Sequence, residues 1–223
     1  MKICPEQISI FVKTTYMKLK VEDLEDQSRY RHLMTLQYTD IVPFVLDYIR
    51  RTSIVTIFFW STCLIAILLT ALIRFNISGF YEFRQILPHT LLGLILLPVL
   101  VIPVHEFLHV IPFVLTGARN IKIGMDMRQF IFYVTVHREV VTPGKFKFVA
   151  VVPFITITIV LLILILVSPP LWKWSLSLFL FVHTTMCAGD FAMLNFYHIN
   201  RHRKILSWDD ADLREAYFYE EIQ

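Results

Sequence analysis

The chain has 223 residues, of which 56% are hydrophobic and 17% charged, with a net charge of +3. A mean hydropathy of +0.60 excludes an ordinary soluble domain. So small a positive balance gives no sign of a nucleic-acid partner; the partner the composition predicts is a lipid bilayer. Four apolar runs, at about 54–73, 91–117, 148–167 and 171–197, are each long enough to cross about 30 Å of hydrocarbon. They predict an all-α membrane protein, a bundle of four transmembrane helices spanning 54–198, preceded by a segment 1–53 and followed by a tail 199–223. Eighteen of the 21 Lys and Arg residues fall in the N-terminal segment, the loop after the second run and the tail. Only Arg74, Arg84 and Lys173 fall in the other two loops, so the positive-inside rule predicts that both termini are cytoplasmic. No signal peptide is expected, because the first apolar run begins only after Arg51.

In chain order, the N-terminal segment mixes charged and apolar residues, which predicts short amphipathic helices that Pro43 should interrupt. The first run carries Trp60, Ser61, Thr62 and Cys63 but no charge, and is expected to be structural. Cys4, Cys63 and Cys187 are odd in number and fit neither a disulfide framework nor a zinc ribbon, so Cys187 is read as a small core residue. His89, after Pro88, is expected to be a solvated or capping histidine.

The second run holds His105-Glu106-Phe107-Leu108-His109. Ionisable side chains inside such a segment are costly, and their default reading is a functional site. On a helix, residues four apart share a face, so His105 and His109 can hold one metal ion. Glu106 sits about 100° round the helix, where a carboxylate can take a proton from a metal-bound water. Two imidazole ligands and a glutamate base form the metalloprotease arrangement. Pro98 and Pro103 should bend the helix before the motif, and Gly117 should end it in a left-handed conformation.

From Ile121 to Val136 apolar residues recur with a period of two, through Met125, Met127, Phe130, Phe132 and Val134, with Arg128 among the alternating polar ones. A short β-hairpin on the cytoplasmic side is expected there, with Pro143-Gly144 as a turn before the third span. Its edge either receives a substrate strand or caps the bundle. His137 reads as a surface residue.

The fourth run contains His183 and Ala188-Gly189-Asp190. An Asp inside a span needs a partner, and a carboxylate is an accepted third ligand beside two histidines. Asp190 and His109 each lie about eight residues, or roughly 12 Å, from the same end of their helices. Asp190 is thus the predicted third metal ligand, with Ala188 and Gly189 permitting close helix approach. His183, two turns outward on nearly the same face, is a candidate for orienting a ligand or relaying a proton. Asn195 and Tyr197 are expected to reach toward the site mouth.

HEFLH in a spanning helix with a distant Asp in a later one resembles the site-2 protease class of intramembrane zinc metalloproteases. Four spans, the basic hairpin, Val151-Val152-Pro153-Phe154 at the third span and Ala188-Gly189-Asp190 resemble more closely the putative zincin peptidase family of bacterial membrane proteins. Where site-2 proteases carry Asp-Gly, this chain has Asp190-Phe191. The resemblance covers about 91–197. It implies one zinc ion on His105, His109 and Asp190, Glu106 as the catalytic base, a bacterial plasma membrane location, and membrane-anchored protein substrates cleaved near the cytoplasmic leaflet. The residues alone leave two other readings open, a non-proteolytic metal sensor or transporter and a purely structural bundle.

Overall fold

A computed structural model of the chain describes residues 19–126 and 131–222. In order it has β1 (Tyr30–Gln37), α1 (Ile41–Arg50), α2 (Ile54–Asn76), α3 (Phe83–Leu91), α4 (Leu97–Leu115), β2 (Ile121–Asp126), β3 (Ile131–Val136), α5 (Pro143–Val167), α6 (Pro170–Met186), α7 (Ala188–Ile199), β4 (Ile205–Asp210) and β5 (Glu215–Glu221). Among the described residues, four helical units are long and apolar enough to cross a membrane: Ile54–Asn76, Phe83–Leu115, Pro143–Val167 and Pro170–Ile199. Their inward faces pack Ala66, Ile157, Leu161, Leu176 and Phe179 into one cluster. Their outward faces leave residues such as Leu68, Leu100, Phe107 and Leu166 exposed.

Two of the four units are interrupted. The second widens into a π turn at Leu92–Leu96, with Leu97 N–H bonded to Leu92 O. Pro98 follows at once; it has no N–H for Leu94 O, so the backbone loosens ahead of it rather than at the HExxH motif. Gly93 in this turn lies so close to α6 that a Cβ there would stand 2.3 Å from Ser175 O. The fourth unit breaks at Cys187, between α6 and α7.

The expectation of an all-α protein is approximate, because five strands form two small sheets. β1, β5 and β4 make an antiparallel sheet in that order, from Tyr30↔Glu221 to Gln37↔Glu215 and from Ile205↔Glu220 to Asp210↔Glu215. Within the described residues 19–53 the N-terminal region therefore holds a strand, one α-helix and short 3-10 turns rather than helices alone, and the tail forms a hairpin. Pro43 does not break α1, because it lies in the first helical turn, where no intrahelical N–H is needed. Glu220 accepts from Arg203 (2.8 and 3.0 Å) and Arg31 (2.5 Å), which holds its carboxyl down at about 2. Since β1, before the first span, pairs with β5, after the fourth, these strands lie together at one end of the bundle.

β2 and β3 pair from Ile121↔Val136 to Asp126↔Ile131, as the alternation predicts; Met127, Arg128 and Phe130 lie outside the described residues. Two backbone hydrogen bonds between Val141 and Ser207 join this region to β4. Thr135 donates to Asp209, whose carboxyl burial pushes up to about 6. Val136 and Val141 pack with Phe113 of α4 and Val149 of α5, seating the hairpin under the second and third spans. Pro143 is the first helical residue of α5 rather than part of a turn, with Thr142 as its N-cap. His137 is no surface residue, because Ala211 N–H donates to its Nδ1 at 3.0 Å and its side chain is only 12% exposed.

Candidate metal centre

The i, i+4 spacing puts the rings of His105 and His109 on one face of α4, with centroids 5.0 Å apart and an edge-on angle of 81°. Both are buried among the spans, at 8% and 7% exposure. Asp190 faces them from the first turn of α7. Its carboxylate oxygens lie 3.3 Å from His105 Nε2 and 3.6 Å from His109 Nε2. One donor atom from each of the three lies within 4.8 Å of the others. The break at Cys187 matters here, because it makes Asp190 an N-terminal residue of a new helix. The positive dipole end of α7 then favours its carboxylate.

The distances carry chemical information. A charge-assisted hydrogen bond between imidazolium and carboxylate would close to about 2.8 Å. Ligands about 2.0–2.1 Å from a tetrahedral zinc stand about 3.3 Å apart. The observed 3.3 Å equals that ligand spacing and the 3.6 Å lies a little beyond it, both longer than a closed charge-assisted bond. Two neutral imidazoles and one carboxylate also form an accepted catalytic zinc set that leaves a fourth position open. The residues therefore fit the ion that their motif implies.

How His109 is held follows from the third span. Its Nδ1 donates to Val149 O of α5 at 3.0 Å, which leaves the Nε2 lone pair facing Asp190. In a regular helix the Val149 carbonyl would accept from the N–H four residues on. That residue is Pro153, which has no N–H, so the carbonyl is free for the histidine. Pro153→Ala restores the competing donor. It is expected to leave the protein at least as stable and to weaken zinc binding by up to about tenfold, read by chelator competition beside thermal unfolding.

Glu106, one residue round the helix from His105, is half-buried and within electrostatic reach of His105 and Asp190. His183 is fully buried, its ring centroid 5.8 Å from that of His105. Cys187 is fully buried beside it, as a core residue should be.

Other expectations are corrected. Gly189 does not mediate close approach, because a Cβ there meets nothing within 4 Å; Gly93 is the residue that does. Asn195 is turned away from the site mouth. Its amide donates to Tyr48 O and Arg51 O and accepts from Ser53 Oγ, locking the α1–α2 junction to α7. Tyr197 bonds Ser207 of β4 instead, at 2.7 Å. His89 is neither solvated nor a cap, since its Nδ1 meets Ser175 Oγ at 2.9 Å. The role of Val149 and Pro153 was missed, although any proline inside a span marks a freed carbonyl four residues earlier.

Residues 98–202 match the family model described as "Putative zincin peptidase". The matched segment contains His105, Glu106, His109, Val149, Pro153, His183 and Asp190, and leaves β1 and the β4–β5 hairpin outside. No curated protein and no solved structure matches the chain. The family match points to a metallopeptidase, and the four apolar helices to a membrane protein.

Proposed function

We propose that the protein is a zinc-dependent, membrane-embedded endopeptidase that cleaves membrane-anchored protein substrates near the cytoplasmic leaflet. The observation that carries this reading is the spacing of His105 Nε2, His109 Nε2 and the Asp190 carboxylate, which suits shared coordination rather than ion pairing. His105, His109 and Asp190 hold one zinc ion, and Glu106 is the general base. Zinc bound there lowers the pKa of a water and polarises a carbonyl. Glu106 accepts a proton from the attacking water and returns it to the leaving amine, the double role its place beside the ligands suits. The buried rings limit access to bulk water and keep the site's interactions strong.

The cytoplasmic side is favoured by the distribution of Lys and Arg, concentrated at the end of the bundle where the two sheets lie. The β2–β3 hairpin, packed under the second and third spans, suits an extended substrate segment adding to its edge. The test is cleavage of a single-span reporter by the purified protein in liposomes. The expected result is a new cytoplasmic-side fragment, abolished by a zinc chelator and restored by added zinc. Cleavage indifferent to chelation would contradict the proposal.

A further inference from the structure

His109 has its Nδ1 partner in Val149, but His105 Nδ1 is buried with no partner among the described residues. A ligand histidine nearly always donates its other ring N–H, which sets its tautomer and ring angle. With Nε2 of His105 turned to Asp190, the proton belongs on Nδ1, and a buried N–H without an acceptor is costly. The same small region holds a second orphan, His183 Nδ1, on a side chain with 0% exposure. The two rings are 5.8 Å apart centre to centre, and one donor atom from each of His105, His183 and Cys187 lies within 4.8 Å of the others. Two imidazoles with one unsatisfied nitrogen each, side by side in an apolar interior, complement one another.

We infer that His183 is the positioning residue for His105, its Nδ1 accepting the Nδ1 proton of His105 across one bridging water. The tautomer this requires puts the His183 proton on Nε2. That nitrogen lies 3.8 Å from Cys187 Sγ, a weak acceptor, while the Cys187 thiol donates to His183 O at 3.3 Å. The broken turn at Cys187 therefore serves both sides of the centre, starting the helix that presents Asp190 and holding the ring that orients His105. This inference rests on the zinc reading above and extends it from the ligands to what aligns them.

The experiment compares wild type, His183→Phe and His183→Gln, each purified in detergent. It measures zinc affinity by chelator competition, the visible spectrum of the cobalt-substituted protein, and thermal unfolding with and without zinc. Expected are zinc affinity lower by about 10–100-fold in His183→Phe, a shifted cobalt spectrum, and partial recovery of both in His183→Gln, which keeps an acceptor. The metal-free melting temperatures should differ less than the zinc-loaded ones, a separation that a merely structural role would not produce. Wild-type affinity and spectrum in His183→Phe would overturn the inference while leaving the zinc reading intact. A wild type that binds no zinc would instead remove the zinc reading itself. Should His183→Phe fail to fold, the smaller His183→Leu takes its place; zinc affinity and spectrum equal to wild type would again overturn the inference.

Discussion

Glu106→Gln is expected to bind zinc as the wild type does and to lose peptide hydrolysis by at least about 10²–10⁴-fold, the usual contribution of a general base. The exchange changes neither the size of the side chain nor its place on α4 beside His105. It removes only the ability to take a proton, because a carboxamide is not basic in this range. A ligand role for Glu106 would show itself as lost zinc, and a metal sensor or transporter would not need the residue. Zinc content and reporter cleavage measured on the same preparation separate these cases. Retained zinc with normal cleavage would contradict the assignment of Glu106.

The second large effect is expected at Asp190. Asp190→Ala leaves two imidazoles of neutral charge and a centre open on the α7 side, and zinc affinity should fall by more than about 100-fold, with activity lost alongside. His109→Ala should do the same, and it also strands Val149 O, which has no helical donor because Pro153 follows four residues on. Each variant removes at most one buried hydrogen-bonding or charged group from a bundle whose main cluster lies around Leu161 and Phe179, so the fold is expected to survive. Chelator competition and unfolding measurements check the two parts separately.

Much of this site was legible from residue spacing. Helical periodicity alone places His105 and His109 on one face, and the cost of burying a carboxylate singles out Asp190 as needing partners. Equal depth then pairs it with His109, and the structure brings the two to 3.6 Å. What resisted was everything that depends on backbone hydrogen bonds crossing between helices. The break at Cys187 has no proline to announce it, so the fourth span reads as continuous until its geometry is seen. The partnership of Val149 O with His109 needs both the proline rule and the knowledge that α4 and α5 are neighbours.

The terminal regions were misread for a related reason. β1 is held by pairing with β5, nearly two hundred positions away, as in Tyr30 with Glu221, while β4 pairs with β5 across a short turn. Neither segment carries a strong alternation by itself, and strand identity there is decided by the partner rather than by local pattern. Gly93 and Gly189 illustrate the same limit. A glycine in a span says that a Cβ is absent, but only packing shows that Ser175 occupies the space at one and nothing does at the other.

The central claim is that His105, His109 and Asp190 hold a metal ion together. It is tested most directly by zinc per polypeptide, measured by elemental analysis on detergent-purified wild type, His109→Ala and Asp190→Ala. About one zinc per chain in the wild type, lost in both variants, is the predicted result. Wild-type protein purified without chelators and carrying no zinc, or variants that retain it fully, would contradict the account.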